Sequence, residues 1–345
     1  MRPVDLSAIV PVWETPVEYV KRCIESVVSH RCEGKEIILV DDGNTSQTAE
    51  ELNRLASAYS GVRVLHKSHA GVSAARNAGL LEASGQYVTF LDADDELVTY
   101  TLDEVLEILR LRKPDLLITR IARESEAAVE TDADRRTPVF LEDSPELRRS
   151  LRIYYTTLQD SRFRSRNTWV NRGPHGRFLT RELALRCPMR EDLTFGEDVI
   201  WNFDLLNNAE RLLVSDLQTY CYWEQSFSAT QRAREGFPDE LKRLFQCYWM
   251  EICQWPKTDS RYYYTAAVEY FTILARLYVF AGDGVDSWRR FEESFRDSMW
   301  QEVFSRVDLR TLKGRYRLTG LLGKAGLEKS LYSVMWIHYR LVRRK

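Results

Sequence analysis

The chain carries two short acidic clusters, Asp41-Asp42-Gly43 and Asp92-Ala93-Asp94-Asp95, each directly after an apolar run. Crowding carboxylates in this way is unfavourable unless a cation, hydrogen-bond donors or water relieves their repulsion. A hard divalent ion, Mg2+ or Mn2+, is the simplest relief, since it prefers oxygen ligands and commonly joins one or two carboxylates to substrate phosphates. For the second cluster alone, solvated turn acids or helix caps are the plainer account. Its place after a predicted strand, with another such cluster earlier in the chain, favours metal and phosphate chemistry. A third acidic pair, Glu197-Asp198, precedes an amphipathic stretch. By itself it reads as a helix start, because carboxylates favour the positive N-terminal end of a helix.

Positioning such groups requires a scaffold, and the pattern around them supplies one. The apolar run Leu6 to Val12 suits a strand buried on both faces. Thr15-Pro16-Val17-Glu18 then combines an N-cap residue, a proline for the first turn and a following glutamate, so a helix is expected to start there. Strands are predicted at 36–40, 62–66, 87–91 and 115–121, alternating with helices at 47–59, 71–83 and 101–112, the βαβ rhythm of a doubly wound parallel sheet. In such sheets ligands bind outside the carboxyl ends of the strands, so both acidic clusters are expected on one rim. The mixed-charge stretch 122–150 reads as an excursion or loop. A helix at 198–207 and a strand at 211–214 follow, and beyond about residue 231 the pattern becomes helical and aromatic, with segments near 238–255, 262–280 and 287–304.

A length of 345 residues exceeds one usual hydrophobic core and predicts two unequal parts. With 44% hydrophobic and 29% charged residues the composition is that of a folded globular chain and excludes a disordered one. The net charge of -2 offers no general attraction to nucleic acid, and none is expected as a partner. Charge is uneven, however: residues 306–345 hold eleven Lys or Arg against Asp308 and Glu328. Six scattered cysteines without a C-x-x-C pair suggest neither zinc nor dithiol redox chemistry. The N-terminus does not resemble a signal peptide, and no apolar run approaches the ~20 residues needed to cross a bilayer. Chemistry facing the cytoplasm is therefore expected.

Five blocks in order, AIVPVW at 8–13, EIILVDDGNTSQT at 36–48, HAGVSAARNAG at 69–79, GQYVTFLDADD at 85–95 and GEDVIWNFDLL at 196–206, resemble the family 2 glycosyltransferases. The resemblance covers about the first 230 residues. It implies the GT-A fold: an α/β, Rossmann-like, mostly parallel sheet flanked by helices, here with a C-terminal helical appendage. The corresponding organisation is a catalytic domain at 1–231, with its donor half about 1–121 and its acceptor half about 150–231, then a helical region at 232–345. Carried over by position, Pro11 and Trp13 line the nucleotide-base pocket, and Asp41 or Asp42 hydrogen-bonds the base. Asp92 lies by the ribose and sugar-phosphate, Asp94 is the direct ligand of Mn2+ or Mg2+, and Asp95 supports them. Arg76 lies near the donor phosphates or the acidic motif, or forms a structural salt bridge. The resemblance also turns Glu197-Asp198 from a helix start into the ED motif, with Asp198 as the base and Glu197 in support.

What the family implies is an inverting transfer of sugar from a nucleotide-sugar, with a UDP-sugar favoured, to a glycan or lipid-linked glycan hydroxyl. Sugar transfer to polyprenyl phosphate and a noncatalytic scaffold in a synthase assembly are the alternatives. Departures stand out where the family commonly has Tyr-Asn after the first strand and this chain has Trp13-Glu14. Glu14 adds an acid beside the base pocket. The frequent Tyr-Tyr-Arg segment appears as Cys221-Tyr222-Trp223, leaving Arg232 or Arg234 as candidate replacements. Arg177, in His175-Gly176-Arg177-Phe178, matches a frequently basic position and is read as a phosphate contact or as surface packing. The five histidines are assigned ordinary surface roles. Tyr262, Tyr263, Tyr264, Tyr270, Phe271, Tyr278 and Phe280 form either an acceptor-sugar platform or helix core. Finally, Leu318 to Lys345 interleaves basic and apolar residues, predicting either a peripheral contact with an anionic membrane or a basic helix packed on the protein.

Overall fold

In a computed structural model, the residues described are 5–29, 34–98, 101–123, 138–157, 171–223, 235–281 and 286–342. The chain divides into two compact units, residues 1–152 with 161–224, and residues 153–160 with 225–345.

The first unit is built on β1 (Leu6–Val12), α1 (Val17–Val28), β2 (Lys35–Asp42), α2 (Ser46–Ser57), β3 (Val62–Lys67), α3 (Val72–Glu82), β4 (Tyr87–Phe90) and β5 (Glu96–Leu97). It continues through α4 (Leu102–Arg112), β6 (Leu116–Arg123), β7 (Phe140–Glu142), α5 (Pro145–Thr157, whose residues from 153 on are grouped with the second unit), β8 (Arg177–Thr180), α6 (Arg181–Arg186), α7 (Glu197–Asn208) and β9 (Leu212–Tyr222). Among the described residues the strands make one nine-stranded sheet in the order β3-β2-β1-β4-β8-β6-β9-β5, with β7 also on β9. Pairing is parallel from β3 through β4, as the βαβ pattern predicts. Past β4 the sheet becomes mixed, because β8 inserts antiparallel between β4 and β6. A strand that arrives from far along the chain leaves no local periodicity to announce it.

β1 is apolar and buried on both faces, and α3 is pressed closely against it. Small residues allow this: a Cβ at Gly79 would lie 2.5 Å from Ile9 Cγ2 and 2.9 Å from Val40 Cγ2. Ala74 and Ala75 are buried on the same helix. The α3 backbone therefore lies nearly on the sheet, which fixes the origin of the long side chain at Arg76. At its N-terminus Gly71 takes φ +92°, a conformation few side chains tolerate.

Three local expectations change. The 122–150 stretch is not loop throughout, since β7 and the first turns of α5 lie within it; α5 buries Leu147, Leu151 and Tyr155. The expected Thr15 cap of α1 is absent: Pro16 takes the cap position without a side-chain bond, and the Thr15 hydroxyl donates to the Trp13 carbonyl. β9 runs for 11 residues, Leu212–Tyr222, far beyond the 211–214 stretch that marks it in the sequence.

The second unit holds α8 (Phe237–Ile252), α9 (Lys257–Leu274), a π-helical turn (Ala275–Val279), α10 (Ser287–Arg296), α11 (Ser298–Arg306), α12 (Gly314–Lys324) and α13 (Glu328–Val342). The single helix expected over 287–304 is broken at Asp297, which is extended and caps α11 by accepting from the Met299 N–H. Aromatic rings fill this core: Phe271 lies 5.0 Å from Trp300 and 5.1 Å from Phe304, centre to centre. Tyr263, Tyr270, Phe271 and Phe280 are buried here, so helix packing rather than a sugar platform accounts for these four.

Candidate active site

Beyond the carboxyl ends of β1, β2 and β4 lies a cleft of about 210 Å³, lined by Pro11, Trp13, Asp42, His69, Asp92 and Asp94, among others. Its walls come from loops that lock together. Gly43 has φ +83°, and a Cβ there would sit 2.5 Å from the His69 backbone nitrogen, so the β2–α2 and β3–α3 loops touch at a point only glycine permits. Trp13, 41% exposed, stacks on the His69 ring with centroids 3.8 Å apart.

The first acidic cluster is saturated with partners. Asp41 accepts from the Asn44 N–H at 2.9 Å and the Asn44 amide at 2.7 Å, and its other oxygen meets His66 Nδ1 at 2.7 Å. Asp42 accepts from Lys67 Nζ at 2.5 Å and from the N–H groups of Ala70 at 3.1 Å and Gly71 at 2.9 Å. Burial pushes both carboxyls up, but these donors and cations outweigh it and hold both below the usual carboxylate range. Of the two, Asp42 lines the cleft.

The second cluster is arranged differently. Asp92 receives Arg76 Nη2 at 2.7 Å on one oxygen and His175 Nε2 at 2.9 Å on the other. Its backbone N–H donates to the Tyr220 hydroxyl. Burial opposes ionisation of Asp92, yet His175 and Arg76 overcome it and hold the carboxyl far below its ordinary value. Asp95 is 1% exposed and accepts from the Tyr220 hydroxyl at 2.6 Å and the Trp223 N–H at 2.9 Å. Burial, then the charge of Asp92, pushes its carboxyl up to about 7. Asp94 lies between them at the cleft. Its carbonyl accepts from Arg22 Nη2 at 2.8 Å, while its carboxylate has no side-chain partner among the described residues. Burial, then Asp92, pushes that carboxyl up as well.

This donor set fits a divalent cation in one of two ways. Asp94 offers an uncommitted carboxylate in an open cleft, the arrangement in which Mg2+ or Mn2+ completes its shell with phosphate and water. Asp92, Asp95 and His175 also bring ligand atoms within 4.8 Å of one another. Both oxygens of Asp95 already accept hydrogen bonds there, so that trio would give up existing partners to bind an ion.

Asp198 sits in the first turn of α7, following Gly196 at φ +75°. One of its oxygens accepts the Val199 N–H at 2.8 Å. Burial pushes the carboxyl up, opposed by the charges of Arg172, Arg76 and His175. The same two side chains that hold Asp92 therefore act on Asp198. Glu197 begins the helix beside it.

Several expected roles change. Arg177 is no phosphate contact: it is 0% exposed, and its guanidinium donates to the Asn202 side chain at 2.9 Å, the His175 carbonyl at 2.6 Å and the Asn171 carbonyl at 2.5 Å. It braces the turn bearing His175 from below. His175 in turn is not a surface histidine, since it holds Asp92 and lies 4.6 Å from the Tyr220 ring. Glu14 is exposed at φ +50°, its N–H donates to the Asn44 side chain, and its side chain does not line the cleft. Arg232 and Arg234 lie outside the described residues.

Tyr220, His175 and Arg22 are the residues missed in the sequence. The segment Cys221-Tyr222-Trp223, noted for its absent arginine, was the available signal: Arg22 lies 3.8 Å over the Trp223 ring, and the Trp223 N–H holds Asp95. Asn77, from the same block as Arg76, clamps Met189 through both its N–H and its carbonyl.

A mixed sheet with carboxylates gathered beyond its strand ends is the architecture of a GT-A sugar-transferring enzyme. The description Glycosyl transferase family 2 matches residues 7–182, more than half of the sequence, and the chain belongs to that family of glycosyltransferases. It is 27% identical over 240 residues to the uncharacterized glycosyltransferase YibD of Escherichia coli, covering 67% of this chain and 64% of that protein. The chain thus aligns with just under two thirds of that relative. Among solved structures it is similar to S. aureus TarS 1–349 in complex with UDP-GlcNAc, with TM-score 0.64, 16% identity, and coverage of 97% of this chain and 92% of that one. It is also similar to the mannosyltransferase PcManGT of Pyrobaculum calidifontis in complex with GDP-Man and Mn2+, with TM-score 0.51, 13% identity, and coverage of 98% and 87%. At these identities the structural likeness concerns the fold.

Proposed function

We propose that this glycosyltransferase moves a sugar from a UDP-sugar to a hydroxyl of a glycan, with inversion, on the cytoplasmic face of a membrane where a lipid-linked or surface glycan is extended. The observation that carries the reading is the uncommitted Asp94 carboxylate, set in a cleft whose floor, Asp92, is locked by Arg76 and His175. Trp13 and Pro11 offer the base an aromatic and apolar wall, with Asp42 within the same cleft. Asp94 would hold Mn2+ or Mg2+, which supplies countercharge for the departing diphosphate. Asp95, kept in place by Tyr220, positions the Asp94 backbone.

Asp198 takes the acceptor proton in this scheme. As the acceptor oxygen bonds to the anomeric carbon, the bond from that carbon to the diphosphate oxygen breaks, and the hydroxyl proton passes to the Asp198 carboxylate. Its burial raises its affinity for that proton. Attack from the face opposite the leaving group inverts the configuration. The likeness to a UDP-GlcNAc complex and to a Mn2+ complex supports a nucleotide-sugar donor and a divalent metal.

The test measures donor turnover with and without Mn2+ or Mg2+ and determines product configuration by NMR. Metal-independent transfer with retention would sink the mechanism. Asp198→Asn is expected to lower transfer to a hydroxyl by about 10²- to 10⁴-fold while donor binding persists. Undiminished turnover in that variant would point instead to an acceptor already ionised, such as polyprenyl phosphate.

A further inference from the structure

The end of the helical unit carries a surface that sugar transfer does not require. α12 and α13 are joined by a short turn in which Gly326 takes φ +66°. Their inner sides are firmly seated. A Cβ at Gly323 would lie 2.2 Å from the Phe304 ring, one at Gly320 would lie 2.4 Å from Leu312 Cδ1, and Leu331 and Met335 are buried. The outer sides are unusual. Leu318, Leu321, Leu327, Trp336, Ile337 and Leu341 are between 40% and 60% exposed.

Cations are interleaved with them. Arg317 lies one turn from Leu321 on α12, and Lys329 and Arg340 share the solvent side of α13 with Trp336 and Ile337; these three are exposed, while the Lys324 ammonium on α12 donates to the Val307 carbonyl at 3.0 Å. The Arg340 guanidinium lies 5.0 Å over the Trp336 ring. Between Lys313 and Leu341 the one acidic residue is Glu328, partly buried and 3.5 Å from Arg296. No described helix is long and apolar enough to cross a membrane.

Apolar side chains on successive turns are unfavourable in water unless something covers them. A second copy of the same hairpin would bring like charges together, and a nucleic acid would leave the leucines uncovered. An anionic bilayer answers both features, with leucine, isoleucine and tryptophan entering the boundary between headgroups and acyl chains and arginine and lysine meeting the phosphates. We infer that the α12–α13 hairpin is an in-plane anchor that binds anionic phospholipid surfaces. The use of this anchor, though not the binding itself, rests on the proposed membrane-side acceptor.

The intact chain is tested by co-sedimentation with phosphatidylcholine vesicles containing about a third phosphatidylglycerol, and with phosphatidylcholine alone. Preferential binding to the anionic vesicles, weakened by salt, is expected. Combined Trp336→Ala, Ile337→Ser and Leu341→Ser, or combined Arg317→Gln, Lys329→Gln and Arg340→Gln, should each weaken it at least about tenfold. These side chains face solvent, so the urea midpoint and turnover with a water-soluble acceptor should be unchanged, which separates lost anchoring from lost folding. Absence of wild-type binding at low salt, equal binding by wild type and both variants, or a concentration-dependent dimer that the apolar variant abolishes would each overturn the anchor. Metal-dependent transfer without vesicle binding rejects the anchor alone; vesicle binding without transfer rejects only the proposed reaction.

Discussion

Two acidic clusters stand at the ends of β2 and β4, on either side of β1, and read almost alike in the sequence, yet the protein treats them in opposite ways. At Asp41 and Asp42 donors are supplied until each carboxyl falls below its ordinary value, and Asp42 ties down the loop through Lys67, Ala70 and Gly71. At Asp92 to Asp95 the donors are concentrated on the first and last acids. The middle one, Asp94, has no side-chain partner for its carboxylate among the described residues, while burial and then the charge of Asp92 press it toward neutrality. Asp95 is pressed the same way but both its oxygens already accept hydrogen bonds, so the open Asp94 carboxylate is the place where an added cation gains most. The first cluster is a latch, and the second is, on the proposed reading, the receptor for a cation.

The sharpest way to break that contrast is Asp94→Asn, expected to reduce metal-stimulated transfer about a thousandfold or more without lowering the thermal midpoint appreciably. A variant retaining near-normal turnover would transfer the metal role to Asp92, Asp95 and His175. His175→Ala and Tyr220→Phe remove supports rather than the carboxylate, so each should lower kcat/KM or metal affinity by about 10- to 100-fold, read from Mn2+ titrations of activity. In the latch the balance reverses. Asp42→Asn is expected to cost about 1–3 kcal/mol in urea unfolding, because Lys67 and the Ala70 and Gly71 N–H groups lose a buried anionic acceptor.

The smallest expected effect is a slope. Asp95 titrates about 7 when folded against an ordinary value of 3.8, so the folded protein retains a proton that the unfolded chain has lost between those values. This contribution therefore lowers stability as pH rises from about 4 to about 7. In metal-free protein, Asp95→Asn should flatten that decline in urea midpoints. An unchanged slope would remove Asp95 as its source.

The parallel half of the sheet was legible because each strand is an apolar run bounded by a helix of distinct period. Asp92 and Asp94 were legible as rim residues for the same reason. His175 and Tyr220 were not, since their partners lie 83 and 125–128 residues away and become neighbours only once β8 and β9 enter the sheet. Arg177 misled in the opposite direction: a basic residue near a phosphate site suggests a contact, and nothing local reveals that its side chain turns inward. The helix break at Asp297 was hidden because the aromatic spacing continues on both sides, and one capping carboxylate decides it.

Gly79 has a consequence for how the enzyme should respond to heat. Because α3 touches β1 and β2 without room for a methyl group, the guanidinium that grips Asp92 is anchored to the buried parallel strands. Warming should loosen the loops that form the cleft walls well before it frees this grip. Hydrogen exchange would then show early opening around Trp13 and His69 above a floor that persists until the sheet itself melts.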